Sequence, residues 1–339
     1  MKNIIKNIFS FVVLVLFAAS CEKVLTDQQV DRPNDLAVVN CVAGDTDSLW
    51  VHVTSTRFSL ESAQINVLQD AQVSLLLEGT LLANLAYQPN HGAYYAQDIK
   101  LIPGNIYQVT VTTGQFGQQR GNLTIPNLPS FTVDNQVARE KSQEFYYYVR
   151  DEKIDSAWLF RANVTINDPP GEKNYYIINI QNAQQAAQHY DSVDHVPVDY
   201  YYSGYSGFQY EFPFTLVEIN DYGFYVSSDW SSAPAIAITD EFLDGEKIKV
   251  KCYNSVLGLP ASEDSVVALN INVQAISEDY YKYVFSYAKY YEAVDIPIAE
   301  KVHVHSNVEN GLGILAGYAQ ATSAVSLKLP ELYLKTGKE

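Results

Sequence analysis

The sequence is short of cysteine and of positive charge, and each shortage excludes a class of protein. Its three cysteines, Cys21, Cys41 and Cys252, are too few to indicate a disulfide framework in a chain of 339 residues. Lys and Arg number 22 against 39 Asp and Glu, and the formal net charge is −17. Proteins bind phosphate backbones through clusters of Lys and Arg, so this charge balance excludes nucleic acid as a partner.

Long hydrophobic runs are scarce as well, and the one near the start is short. Ile8 to Ala19 are apolar with a single serine, fewer than the ~20 residues that a membrane-spanning helix needs. Two lysines precede the run, so we interpret residues 1–20 as a secretory signal peptide. Small residues at positions 18–20 directly precede Cys21, a pattern that resembles the lipobox of bacterial lipoproteins. The resemblance implies that Cys21 becomes the acylated N-terminus, and two or three acyl chains form a stable membrane anchor.

The remaining sequence indicates a tether followed by strands. Residues 21–34 are polar, lack a period and contain a proline, which predicts a flexible tether. Residues 35–126 alternate apolar and polar side chains between turn signals, which predicts an N-terminal β-sandwich, Ig-like or transthyretin-like. Its predicted inward positions include Leu49, Val51 and Val53. We expect an all-β fold, mainly β with one packed helix.

A larger, sandwich-like β-rich domain is predicted for residues 127–339. Two alternating runs flank the turn sequence DPPGEKN, which begins at Asp168, so we expect a long hairpin there. Cys252 alternates with Ile248 and Val250, and this spacing favours a core position over a reactive thiol. A helix is predicted over about 278–291, with Ser277 as its N-cap and two acidic residues in its first turn.

An aromatic insert, about 182–229, interrupts the strand pattern of this domain. Long segments without regular structure inside a compact domain are usually functional or disordered. Its rings are mixed with Ser and Gly, as in binding loops where rigid amphipathic rings give contact area at low entropic cost. The candidate binding residues for a peptide or glycan ligand are Tyr200, Tyr201, Tyr202, Tyr205, Phe208 and Tyr210. The alternative is a loop that folds back and buries these rings against its own domain.

Four motifs in order carry a family resemblance: NDPPGEKNYY from Asn167, DEFLDGEKIKV from Asp240, SEDYYKYVFSYAKYYE from Ser277 and VHVHSNVENGLGILAGYA from Val302. Together with the lipobox, they resemble the Bacteroidota-type outer-membrane lipoproteins of the domain of unknown function 4249. The resemblance implies an outer-membrane lipoprotein, often encoded beside a TonB-dependent receptor, and it implies no catalytic residues. Glycines in these motifs, Gly171, Gly245, Gly311 and Gly313, are expected where the backbone needs positive φ or close approach. Asn174 and Asn307 are expected to form turn or strand-end hydrogen bonds.

Candidate chemistry is weak by comparison. His303 and His305 alternate with valines in a predicted strand, so both rings would project from one face; two ligands do not make a metal site, and we expect exposed strand histidines. Asp240 and Glu241 lie beside a predicted turn, and we expect both to be solvated. We therefore expect no enzyme, no cofactor and no metal.

Four Asp-Ser-apolar triplets form a further pattern. They resemble the triplets at which such bacteria attach O-glycans to exported proteins, and they begin at Asp47, Asp155, Asp191 and Asp264.

These observations combine into one functional hypothesis. We expect a protein that is lipid-anchored in the outer membrane, on the cell surface or the periplasmic face, and that is a non-catalytic binding or accessory subunit of a TonB-dependent nutrient uptake receptor. The alternative is a surface adhesin or a structural module of the envelope.

Overall fold

A computed structural model describes residues 34–45, 48–58, 64–141, 147–149, 152–154, 156–182, 209–211, 223–226, 235–241, 243–256, 266–294 and 302–328. The strands are β1 (Ala37–Ala43), β2 (Ser48–Ser55), β3 (Gln72–Leu77), β4 (Thr80–Gln88), β5 (Ala93–Gln97), β6 (Ile106–Thr113), β7 (Gly117–Thr124), β8 (Ser130–Lys141), β9 (Tyr147–Val149), β10 (Glu152–Ile154), β11 (Ser156–Asn167), β12 (Tyr175–Asn182), β13 (Gln209–Glu211), β14 (Gly223–Val226), β15 (Ala235–Thr239), β16 (Lys247–Val256), β17 (Val266–Ile276) and β18 (Leu312–Lys328). The helix α1 spans Glu278–Val294 and follows β17. The prediction of an all-β fold with a packed helix is confirmed.

The N-terminal region, strands β1 to β7, wraps around a core of its own. Its strands follow the order β1-β2-β5-β4-β3-β6-β7, and β4 pairs with β3 between Thr80 and Leu85 and with β5 through its last three residues. The sheet therefore folds back on itself at β4. Side chains from the strands on both sides of β4 form one buried apolar cluster. The alternation predicted for β2 is confirmed, because Leu49, Val51 and Val53 are all fully buried. Each such side chain contributes roughly 1.5–3 kcal/mol through its burial.

The C-terminal sandwich consists of two facing sheets. One has the order β14-β15-β12-β17-β18 and the other β13-β16-β11-β8. Alternate residues of both sheets, among them Val164, Ile178, Val250 and Ile271, are fully buried in the cluster between them. Cys252 belongs to the same cluster, and burial raises the pKa of its thiol to about 12, so its predicted core position is confirmed.

Strand β18 connects the two parts of the fold. Its first six residues pair with β1 in parallel, in the register Val38 to Leu312, while its later residues pair with β17 in antiparallel. The N-terminal region and the C-terminal sandwich therefore share one hydrogen-bonded sheet of twelve strands among the described residues. The boundary after residue 126 stays a prediction.

Helix α1 covers the outer face of the C-terminal sandwich. Ser277 caps it as predicted: its Oγ accepts a hydrogen bond from the Tyr280 amide at 3.3 Å, and its carbonyl accepts one from the Tyr281 amide. Tyr281 packs against Tyr175 and Ile276 of the sheet beneath. The helix ends at Val294, three residues beyond the predicted end.

One predicted hairpin and one predicted strand are wrong. Strands β11 and β12 do not pair with each other: β11 lies between β8 and β16, and β12 between β15 and β17. The two strands face each other across the core and do not lie side by side, because the DPPGEKN turn leads the chain from one sheet to the other. Residues 302–308 form no strand before the Asn310-Gly311 turn. The backbone of His305 donates instead to Ser286 Oγ of α1 at 2.8 Å.

Candidate functional site

Two loops of the C-terminal sandwich meet at a cluster of carboxylates, which we call the aspartate corner: Asp168, Asp240 and Asp244. Each loop offers a glycine amide to a carboxylate of the other, Gly171 to Asp244 at 2.6 Å and Gly245 to Asp168 at 3.0 Å. Both glycines have the predicted positive φ, +85° and +73°. A side chain at position 245 would also collide with Pro170. The two loop motifs therefore interlock through their backbones.

Burial is the main influence on the pKa of two groups at the aspartate corner, Asp240 and Tyr176. Asp240 is only 1% exposed, and its carboxylate accepts a hydrogen bond from the Asn174 amide at 2.7 Å. Burial is the main cause that raises the pKa of Asp240; the Asn174 hydrogen bond opposes it, and repulsion by Asp168 adds to it. Tyr176 donates its hydroxyl to Asp168 at 2.6 Å, and burial, followed by this bond, raises the pKa of Tyr176.

The prediction that Asp240 is solvated is wrong, because its carboxylate satisfies a loop amide. Glu241 is exposed and forms an ion pair with Lys173 at 3.7 Å. The predicted turn bonds of Asn174 are confirmed, since its side chain also donates to the Glu172 carbonyl.

The aspartate corner has the oxygen atoms that hard cations prefer, and its three ligand atoms lie within 4.8 Å of one another. Each carboxylate, however, already accepts a hydrogen bond from the chain: Asp168 from Tyr176 and Gly245, Asp240 from Asn174 and Asp244 from Gly171. These hydrogen bonds explain the cluster as a structural contact that holds the two loops together. Sequence reasoning missed the cluster, although two of the four motifs contribute all three of its aspartates.

A second polar cluster, the helix junction, consists of Asp279, His305 and Asn307. Asp279 lies in the first turn of α1, where the helix dipole favours a negative charge. His305 Nε2 lies 2.8 Å from one of its oxygens, and Asn307 donates to the other at 3.1 Å. His305 is thus held against the helix by a carboxylate, whereas His303 is exposed. The prediction that both rings project from one face of a strand is wrong.

Asn307 is the centre of this junction. Its side chain donates to the carbonyls of Leu315 in β18 and Asn122 in β7, and it accepts from the Leu315 amide at 2.8 Å. It therefore joins the N-terminal region, β18 and α1, and its predicted strand-end bonds are confirmed. The neighbouring Gly311 and Gly313 show the predicted close approaches, to Ala37 and Val39 of β1.

Tyr175 links the aspartate corner to the helix. It follows the first loop, donates its hydroxyl to Glu278 at 3.3 Å and packs its ring 4.7 Å from that of Tyr281. Burial, and then the proximity of Glu278, raises the pKa of Tyr175. Each of the four motifs that carry the family resemblance thus contributes to the aspartate corner or the helix junction, and Tyr175 joins the two.

An aromatic cluster on the N-terminal region was also missed. Trp50 of β2 is the register partner of Tyr95 in β5, and their ring centroids are 4.3 Å apart. His91, in the turn before β5, lies 4.9 Å from Trp50. The alternation that places Leu49 and Val51 inward also places Trp50 outward, so the signal was present in the sequence.

The other predicted site residues lie mostly outside the described residues. These are Cys21, Tyr200, Tyr201, Tyr202, Tyr205, Phe208 and the aspartates that begin the four triplets, Asp47, Asp155, Asp191 and Asp264. Tyr210 lies in β13, opposite Cys252 of β16. The roles of all these predicted site residues stay predictions.

Comparison with known proteins identifies the family. The chain matches the model of the domain of unknown function 4249 over residues 24–324 and belongs to that family. A search of the curated proteins finds no match. Among solved structures, one described as the complete manganese lipoxygenase of Gaeumannomyces graminis with a partial zonadhesin of Komagataella pastoris aligns at 10% identity. That alignment covers 86% of this chain and 99% of the other, and its TM-score of 0.15 supports no argument about fold or function.

Helix α1, the one helix among the described residues, falls short of the length and apolarity that a membrane-crossing helix requires.

Proposed function

We propose that the protein is a lipid-anchored lipoprotein of the outer membrane that acts as a non-catalytic binding or accessory subunit of a TonB-dependent nutrient uptake receptor. The observation that carries the proposal is Cys21, which follows an apolar run and three small residues. Among the described residues the first strand, β1, begins at Ala37, and the sequence between Cys21 and this strand is mostly polar. Such a stretch acts as a tether between an acylated residue and a folded domain.

The arrangement of the strands supports a binding role. Strand β12 ends at Asn182 in one sheet, and β13 starts at Gln209 in the opposite sheet. The aromatic candidates between them are therefore attached at both ends to strands of a rigid sandwich. Binding residues are common on loops that a rigid scaffold positions.

Metabolic labelling tests the anchor. Cells that express the chain are grown with radiolabelled palmitate, with or without the signal-peptidase inhibitor globomycin. We expect label in the wild-type chain, a larger precursor with globomycin, and no label in Cys21→Ser. Cys252→Ala is the matched control, since Cys252 is buried in the core and its loss should leave labelling intact. Labelling of Cys21→Ser, or a wild-type chain without label, contradicts the proposal.

Co-purification in detergent tests the partner. We expect a TonB-dependent receptor to purify with the tagged wild-type chain and to be lost from the double variant Tyr201→Ala/Tyr205→Ala, whose melting temperature should be unchanged. A labelled chain that purifies without a receptor, and instead binds host surfaces, supports the adhesin alternative. A large loss of stability with binding intact indicates that the two rings pack against their own domain.

A further inference from the structure

The outer face of the sheet in the N-terminal region is unusual in its charge. The outward positions of β1, β2 and β5, and of β4 from Asn84 onward, include no Asp, Glu, Lys or Arg. The chain as a whole has 39 acidic and 22 basic residues. A neutral face over four neighbouring strands of so acidic a protein offers a charged ligand no partner for an ion pair.

The centre of this face is aromatic. The rings of Trp50 and Tyr95 lie side by side and are partly exposed, and the exposed ring of His91 contacts Trp50. Val42, in β1 beside β2, is 45% exposed. Aromatic faces carry negative partial charge, and they attract the weakly positive C–H groups of a ligand that lies flat on them.

Polar but uncharged groups lie in the same strands as the rings. His52 is two residues from Trp50 on the outward side of β2, and Gln97 is two residues from Tyr95 in β5; both are exposed. Imidazole and amide side chains donate and accept hydrogen bonds. The face therefore combines ring stacking with uncharged hydrogen-bonding groups, which is the complement of a neutral sugar with its C–H faces and hydroxyls.

The size of the face favours a small ligand over a protein. Four strands at about 4.8 Å spacing and five residues at about 3.3 Å each cover roughly 300 Å². A stable protein partner buries about 800 Å² on each side. We propose that this face, centred on Trp50, Tyr95 and His91, binds neutral oligosaccharides. The inference rests on the proposed function as a binding subunit and names the chemical class of its ligand.

Calorimetric titration of the full chain in detergent tests the proposal. The probes are maltohexaose, cellohexaose, xylohexaose and mannohexaose, with hexagalacturonic acid as the charged comparison. We expect at least one neutral probe to bind with saturation and the charged probe to bind more weakly. Trp50→Ala should weaken binding by about tenfold or more, because stacking on an aromatic ring contributes that much for other flat ligands. Trp50→Phe should retain most of the affinity.

Tyr287→Ala is the matched control, since Tyr287 is a tyrosine of α1 that is 39% exposed and lies far from this face in the sequence. His91→Ala, which removes an exposed turn residue, replaces Trp50→Ala if that variant does not fold. The proposal is overturned if no neutral probe binds, if the charged probe binds equally well, or if Trp50→Ala and His91→Ala both bind like the wild type. If the chain binds no sugar but still incorporates palmitate and retains its receptor, the sugar-binding inference is refuted and the proposed function is not.

Discussion

The N-terminal region and the C-terminal sandwich are both built from strands, but their connections differ in kind. In the N-terminal region, β3 and β4 are joined by Glu78 and Gly79, both at positive φ, as in the tight turns that suit hairpins. In the C-terminal sandwich, β11 and β12 belong to different sheets, and side-chain acceptors such as Asp168 and Asp240 fasten the loops between sheets. Local turns thus organise one part, and polar contacts between distant segments organise the other.

Each part also contains one buried thiol, which allows its stability to be measured separately. Cys41 lies in the N-terminal core and Cys252 in the C-terminal core, and burial raises the pKa of both to about 12. A buried thiol reacts with an alkylating reagent only when its surroundings open. Peptide-level mass spectrometry after alkylation therefore reports the opening of each part.

The largest effect is expected from Gly313→Ala. Gly313 has a φ of +116°, and an added Cβ would collide with the Val39 carbonyl of β1. We expect a loss of about 3 kcal/mol in the free energy of unfolding, because both strain and collision oppose the pairing of β18 with β1. Alkylation of Cys41 should accelerate more than that of Cys252. Equal acceleration would mean that the two parts open as a single unit.

A smaller effect is expected from Asn307→Ala, which removes hydrogen bonds to β7, β18 and α1 together. We expect a loss of about 2 kcal/mol, measured by urea unfolding, because partly buried backbone groups lose their partners. Both thiols should become more reactive, since Asn307 contacts both parts. Asn135→Ala, at an exposed position in β8, should change stability by less than about 0.5 kcal/mol. A similar loss in both variants would refute the role of Asn307 as a junction.

The smallest effect is a pH dependence confined to the C-terminal sandwich. The pKa of Asp240 is raised in the folded chain, mainly by burial, above its ordinary value of 3.8. The folded state therefore holds this proton more tightly, and the stability it contributes is lost as the pH rises through the raised pKa. Asp240→Asn keeps an acceptor for the Asn174 amide and does not titrate, so relative to wild type it should gain stability over that pH range. Unfolding curves at successive pH values check this, and a difference that is constant with pH would contradict it.

The contrast between local turns and contacts of distant segments also explains which features could be predicted from the sequence. Period-two alternation placed Leu49, Val51 and Val53 in the core correctly, since a strand with one buried face repeats every second residue. The cap at Ser277 and the glycines at positions 171 and 245 were also predictable, because their backbone needs are local. The hairpin of β11 and β12 was wrong, because alternation identifies a buried face but not the strand that lies beside it.

The candidate sites were less predictable for the same reason. Asp168 and Asp240 are 72 positions apart in the sequence, and only folding brings their carboxylates together. The outward position of Trp50 followed from alternation, but its contact with His91 depends on how the turn before β5 folds over the sheet. The hydrogen bond that the buried Asp240 carboxylate accepts likewise comes from a residue far away in the sequence, Asn174.

The position of β18 has a consequence for how the molecule assembles. Strand β1 pairs with a segment that starts at Leu312, far from β1 in the sequence. Contacts between such distant segments slow folding, because a very long loop must close before they form. One edge of β1 therefore stays unpaired until β18 has been synthesised. A nascent or truncated chain that lacks β18 would expose that edge to pairing with other molecules.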